Sequence, residues 1–174
     1  MKNQDILENN NKIAFLSIGS NLGNKKKNIE LAKFKLINNN VFIVKTSKNY
    51  ESLSWPNKKN PKFINVVIKV KTTLSAAALM KKCLIIEKRL GRLRNKKNDP
   101  RTCDIDIIDY DKRIIFKKAK HNVVIPHPKM HQRNFVLLPL FEIAKDWIHP
   151  IKNTSIRDLI SSLKTEELKT IKII

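Results

Sequence analysis

A chain of 174 residues, 41% of them apolar, is long enough for one ordinary domain with its own core. A formal charge of +21 invites a nucleic-acid or membrane partner, but the lysines form no single block, aromatics are only 6%, and few stacking platforms remain for single strands. No apolar run approaches the ~20 residues of a membrane span, nothing resembles a signal peptide, and Cys83 and Cys103 lack C-x-x-C spacing. These features predict a cytoplasmic protein with two buried, reduced thiols.

In chain order, residues 1–11 are polar and asparagine-rich and read as a loose leader, with 12–174 as a single domain. Lys12 to Ile18 predicts a buried strand bounded by Gly19. The loop G-S-N-L-G-N then opens a helix with Asn24 as N-cap and Ile29, Ala32 and Leu36 on its inner face. Gly19 and Gly23 are too close for a Walker A loop and no G-K-[ST] follows, which argues against a P-loop NTPase. Val41 to Ser47 is a second strand. Tyr50 to Lys62, with Pro56 and Pro61, has no periodicity, reads as a long functional loop and exposes Trp55.

Phe63 to Val70 is a third strand, with Phe63, Asn65, Val67 and Lys69 on one face and Ile64, Val66, Ile68 and Val70 on the other. Ser75 caps a helix whose stripe is Ala76, Leu79, Met80, Cys83, Ile86 and Leu90, ended by Gly91. Cys103 to Tyr110 is a fourth strand, followed by a short one near Arg113 to Phe116. The order predicts an α+β, ferredoxin-like β-α-β-β-α-β core: an antiparallel sheet with two helices on one face and the other free for ligands. Additional C-terminal helices are expected at His131 to Ala144, where Pro139 is placed to bend or interrupt the helix, and at Thr154 to Lys164, before an uninformative tail. His121 and His149 read as surface residues.

Two features of this chain carry chemistry. On the Cys103–Tyr110 strand, alternation points Asp104 and Asp106 to one face and Cys103, Ile105 and Ile107 to the other. Adjacent like charges raise each other's pKa unless something cationic sits between them. A purely oxygen pair suits Mg²⁺ shared with substrate phosphates, and the bland alternative is a solvated edge strand. Just upstream, four of the seven arginines (Arg89, Arg92, Arg94 and Arg101) fall within thirteen residues. Guanidinium forks grip phosphate oxygens in a paired way that lysine cannot, so loop and acid pair together make a polyphosphate site.

Four fragments, I-G-S-N-L-G (Ile18 to Gly23), G-R-L-R (Gly91 to Arg94), P-R-T-x-D-I-D-I (Pro100 to Ile107) and P-H-P-x-M-x-x-R-x-F-V-L-x-P-L (Pro126 to Leu140), together resemble the 6-hydroxymethyl-7,8-dihydropterin pyrophosphokinase family. The similarity runs in order from about Lys12 to Pro150. It implies transfer of pyrophosphate from ATP to the hydroxymethyl group of the pterin, with AMP released, as a step of tetrahydrofolate biosynthesis. Asp104 and Asp106 would hold two Mg²⁺ ions, and Arg92 and Arg101 would be catalytic arginines of a mobile loop. Glu87, Arg94, Ile107, His127 and Arg133 fall at ATP-binding positions, although Glu87 on sequence alone could equally be an exposed helix residue. His127 and His131 as a metal pair is disfavoured, since Pro128 argues that His127 precedes the helix. Phe63 and Phe135 fall where the family stacks the pterin, Asn65 where it reads the ring edge, and Ser52, Leu53 and Trp55 where backbone meets the ring.

The chain departs from the family pattern in places. Asn98 and Asp99 stand where many relatives have Trp-Gly, Phe63 replaces a frequent tyrosine, and Val124 replaces a hydroxyl residue. These departures predict an active enzyme with looser loop closure. The expected partners are the two small-molecule substrates, with no nucleic acid or membrane, and a monomer is expected. The competing readings are a basic ferredoxin-like RNA-binding module without catalysis and a decayed relative that keeps only the fold. The module would gain nothing from paired aspartates facing a polyanion.

Overall fold

Nine residues of alternating, mostly apolar character, K-I-A-F-L-S-I-G-S, form the central strand β1 (Lys12–Ser20), and the rest of the sheet assembles on its two edges. The computed structural model describes residues 11–93, 98–116 and 123–174. The expectations for the leader, Arg94 and His121 lie outside the described residues, apart from residue 11 itself. β1 pairs antiparallel with β4 (Phe63–Thr72) on one side and β5 (Asp104–Tyr110) on the other. β2 (Val41–Thr46) and β3 (Tyr50–Ser52) share the far edge of β4 in tandem, and β6 (Ile171–Ile173) adds to β3. Between β2 and β3, Ser47 keeps the ladder satisfied: its N–H donates to Val67 O (2.9 Å) and its hydroxyl accepts from Val67 N (3.0 Å).

The predicted helices form where their caps and stripes place them. α1 (Lys25–Ile37) starts at Asn24, whose side chain accepts from Lys27 N, and buries Ile29, Ala32 and Leu36. α2 (Ala76–Arg89) starts at Ser75, buries Ala76, Leu79, Cys83, Ile86 and Glu87, and ends before Gly91 at φ +82°. Both pack on the face carrying Ala14, Leu16, Ile18, Ile64, Val66, Ile68, Val70, Ile105 and Ile107, as the alternation of β4 and β5 predicts. Cys83 and Cys103 are free thiols inside this layer, and burial pushes the Cys83 thiol up to about 12 and Cys103 in the same direction.

The opposite face is not left free. Half of it carries a second core, in which Phe15, Val67 and Ile108 meet Met130, Val136, Leu137, Leu140, Trp147, Ile156 and Leu159. These come from a 3₁₀ turn (Met130–Gln132), α3 (Asn134–Ile143), α4 (Ile156–Ser161) and the segment between the two helices; α5 (Thr165–Leu168) leads into β6. α3 runs through Pro139, which is buried against the sheet, so the predicted interruption does not occur. Arg113 to Phe116 contributes only an isolated bridge, Ile115 to Ile125, in place of the expected strand. No helix among the described residues is long and apolar enough to cross a membrane.

His149 is buried, not superficial: it is 4% exposed, and its Nδ1 accepts from the N–H groups of Ile151 and Lys152 (both 3.2 Å). Its ring meets Trp147 and His131 edge-on, at 5.7 and 6.1 Å between centroids. Burial holds His149 and His131 below the ordinary imidazole range, and Lys152 adds to both shifts. A depressed folded-state pKa means that the native protein binds fewer protons than the unfolded chain. Stability is therefore complete above the unfolded value of ~6.5 and is lost as pH falls through the folded values. Thermal melts should show Tm falling as pH drops below about 6.5, and the slope should shrink in His149→Gln, which keeps a side-chain acceptor but does not titrate.

Candidate functional site

The uncovered half of that sheet face is a cleft bounded by Ser52, Leu53 and Trp55, by Phe63 and Asn65 on β4, by Asp104 and Asp106 on β5, and by Asn98, Arg101, Arg133 and Phe135. Ser17 and Gly19 of β1 form its floor. A Cβ at Gly19 would lie 2.8 Å from Asn65 Oδ1 and 3.3 Å from the Phe63 ring, so only glycine leaves this floor open. Gly19 does not bound the strand as the sequence predicts, but lies within β1, opposite both Asn65 and Asp104. A glycine inside a strand pattern is the sequence sign of such a close approach.

The acid pair is held against cations. Asp104 Oδ1 accepts from Arg92 Nη1 (2.5 Å), and its Oδ2 accepts from Arg101 Nε (2.9 Å) and Nη2 (2.6 Å). Asp106 Oδ2 accepts from Arg133 Nη1 (3.0 Å), with His127 Nε2 at 3.8 Å. Desolvation pushes Asp104 up, but Arg101 and Arg92 together outweigh it and hold the carboxyl below its ordinary value. His127 is held below the imidazole range by burial, with Arg133 lowering it further and Asp106 opposing. Its Nδ1 accepts from Lys129 N (3.2 Å), which leaves the Nε2 side toward Asp106.

Glu87 is not an exposed helix residue. It is 2% exposed, its Oε1 accepts from Ile105 N (2.8 Å) and pairs with Arg92 Nη1 (2.5 Å), and its carbonyl accepts from Arg92 N (3.1 Å). The end of α2 is thereby tied to the strand carrying the acids, with the first loop arginine between them. Asn21, absent from the expected site, holds the other end of that loop. Its Oδ1 accepts from Arg101 N (2.7 Å), its N–H donates to Arg101 O (3.1 Å), and its Nδ2 donates to Pro61 O (3.1 Å) and Ser54 Oγ (3.3 Å). Its place in the I-G-S-N-L-G fragment is the signal that could have singled it out among the many asparagines of the chain.

The aromatic residues already face cations. The Arg101 guanidinium lies 5.1 Å from the Phe63 centroid; that of Arg133 lies 5.6 Å from Phe135 and 5.5 Å from Trp55, which also faces Lys129 Nζ at 5.3 Å. Asn65 is 3% exposed and donates through Nδ2 to Ser52 Oγ (3.0 Å). With Arg101 over Phe63 the free space is about 50 Å³, far below the ~300–1,000 Å³ of an open ligand site. Ile107 is the exception among the expected site residues: its side chain is 2% exposed in the helix-side core, so only its backbone is available to a ligand. Of the two residues that depart from the family's Trp-Gly, Asn98 lines the cleft and Asp99 is not among its lining residues. The buried Nε of Arg133 has no hydrogen-bond partner, a spare donor beside the acid pair.

Comparison with known proteins bears on this geometry. The family model described as 7,8-dihydro-6-hydroxymethylpterin-pyrophosphokinase (HPPK) matches residues 15–145. A 2-amino-4-hydroxy-6-hydroxymethyldihydropteridine pyrophosphokinase of Haemophilus influenzae is 37% identical over 79% of this chain and 84% of its own length. The folic acid synthesis protein FOL1 of Dictyostelium discoideum is 42% identical over 86% of this chain, and fol1 of Pneumocystis carinii 37% identical over 92%. The chain spans only about a fifth of those two longer proteins (22% and 21%). Among solved structures, wild-type Plasmodium falciparum HPPK-DHPS superposes with a TM-score of 0.69 at 16% identity, over 87% of this chain and 44% of that one, which bears on fold alone. The chain belongs to the 7,8-dihydro-6-hydroxymethylpterin-pyrophosphokinase family.

Proposed function

We propose that this chain moves a pyrophosphoryl group from ATP to the hydroxymethyl oxygen of 6-hydroxymethyl-7,8-dihydropterin and releases AMP, as a step of tetrahydrofolate biosynthesis. The observation that carries the reading is the convergence, on one sheet face, of an acid pair, its arginines and a side-chain amide beside two phenylalanines. In the reaction the hydroxymethyl oxygen bonds to the β-phosphorus, the bond from that phosphorus to the α,β-bridging oxygen breaks, and AMP departs with that oxygen. Such chemistry asks the protein mainly for positioning and charge stabilisation.

Asp104 and Asp106 offer oxygen donors only, and no group of three or more His, Cys, Asp or Glu able to hold a metal occurs among the described residues. That donor set fits magnesium, which binds through one or two carboxylates plus substrate phosphates. Two magnesium ions held by Asp104 and Asp106 would supply charge neutralisation at the triphosphate. Arg92 and Arg101 leave Asp104 for the α- and β-phosphates, exchanging one charge-assisted pair for another. The same motion takes Arg101 off Phe63 and frees that face for the pterin. Phe135 provides the other face, Asn65 reads the ring edge with a donor and an acceptor, and Ser52, Leu53 and Trp55 close the rim. His127 and Arg133 hold the triphosphate, the neutral imidazole as a hydrogen-bonding group. Free small-molecule substrates, a cytoplasmic location and a monomeric state accord with this reading.

An RNA-binding role fares poorly on the same geometry. α3 and α4 cover half of the face such a module would need open, and the other half presents two carboxylates.

Asp106→Ala is the cleanest test, because this side chain is 32% exposed and its ionic partners, Arg133 and His127, belong to the site itself. An assay coupled to AMP formation should show a loss of at least ~100-fold with Tm nearly unchanged; normal turnover would refute the assignment. Glu87 separates anchoring from charge. Glu87→Ala leaves the buried Ile105 N–H unpaired and should cost about 1–3 kcal/mol in denaturant melts. Glu87→Gln keeps that acceptor, so it should lose less stability while still lowering kcat/KM through a misplaced Arg92.

A further inference from the structure

Four residues along β1 from the cleft, ~13 Å away on the same sheet face, lies a larger hollow of about 630 Å³. That volume falls within the ~300–1,000 Å³ typical of small-molecule sites. Its inner wall is apolar: Phe15 (7% exposed) and Trp147 (5% exposed) stand beside Ile13, Ile143 and Ala144. Lys45 and Lys69, cross-strand partners on β2 and β4, form one rim; Lys112 and Lys145 stand on the others.

The carboxylates around it are mostly engaged already. Asp109 accepts from Trp147 Nε1 (2.6 Å) and Lys112 N (3.0 Å), Glu142 accepts from Tyr50 Oη (2.9 Å) and Lys48 N, and Asp111 pairs with Lys12 and Arg113. Asp146 is the one rim carboxylate with no partner among the described residues; Lys112 acts electrostatically on Asp109, and the ammonium groups of Lys45, Lys69 and Lys145 have no partner there. Three unpaired cations against one unpaired anion, above an aromatic wall, select for an anion with an apolar body. The hollow contains neither the acid pair nor the arginines of the catalytic cleft.

We propose that this hollow is a second binding site, for a small molecule with an aromatic body and one or two anionic groups, seated on Phe15 and Trp147 with its charge between Lys45 and Lys69. The chain's two tryptophans report on the two sites separately, since Trp55 lines the cleft and Trp147 the hollow. The ¹⁵N-labelled protein, with magnesium and a non-hydrolysable ATP analogue present, is titrated with naphthalene-1-sulfonate while the two indole N–H resonances are followed. The Trp147 resonance should shift saturably and that of Trp55 should stay in place. The uncharged 1-naphthalenemethanol, and the double variant Lys45→Gln with Lys69→Gln, should each weaken binding about tenfold, with AMP formation unchanged in the variant. A shift at Trp55 instead, a response that does not saturate, or equal affinity in the double variant would overturn the proposal; the single variants Lys45→Gln and Lys69→Gln decide the matter if the double variant fails to fold.

Discussion

Repulsion between Asp104 and Asp106 is the constraint around which the site is arranged. Two residues apart on one face of a strand, their carboxylates stand about 6–7 Å from each other, which costs roughly 2–3 kcal/mol at an effective dielectric near 20. Against a net stability of about 5–15 kcal/mol that is a large fraction, and burial adds to it. The protein offsets it with Arg92 and Arg101 on one carboxylate and Arg133 on the other. On the proposed reaction, the arginines are stored at the cleft by the groups that would later hold metal, and their release to phosphate need not leave a bare charge behind. Glu87 and Asn21 fix the two ends of the loop that carries the first pair, so the exchange moves side chains over a short path.

Much of this was legible in the residue order, because alternation in a two-sided strand has a single physical meaning. Phe63 and Asn65 part from Ile64 and Val66, and Asp104 and Asp106 part from Ile105 and Ile107, where period-two geometry places them. What escaped were elements too short to have a period. β3 and β6 are three residues each, and β6 meets its partner from the far end of the chain. The second core escaped for a related reason: an apolar helix at residues 134–143 announces that it must be buried, but not on which surface. Once it docks on Phe15 and Val67, the segment after it is drawn inward, and His149 becomes an interior hydrogen-bond acceptor.

One irregularity reconciles the two layers. The pairing of β1 with β5 slips between Phe15 and Leu16, so that Ile108 and Asp109 together oppose Phe15. In an unbroken strand Asp109 would point into the helix-side core beside Ile107, an acid with no partner among aliphatics. The bulge turns it to the second layer, where Trp147 Nε1 donates to it at 2.6 Å. Burial still pushes its pKa up, while that bond and Lys112 N pull the other way. The double isoleucine in D-I-D-I-I-D-Y is where the alternation fails. The same break separates the acids that face the cleft from the one that braces the scaffold.

If the proposed reaction holds, the sheet also sets the spacing between the reacting groups. Asp104, Gly19 and Asn65 stand in one row across β5, β1 and β4, and Asp106, Ser17 and Val67 in the next. Strands lie about 4.8 Å apart, so the acids and the ring-reading amide are separated by roughly 10 Å. The strand between them carries only a serine and a glycine on that face. The trough this leaves is wide enough for phosphate oxygens on one side and a planar ring on the other, with the transferred group between. A Cβ at Gly19 would press on Asn65 Oδ1 and on Phe63, tilting the amide and the ring out of that row. On that reading, the distance between the two substrates is set by hydrogen-bonded strands, the stiffest part of the protein, and the arginine loop at the rim has only charge and closure to supply.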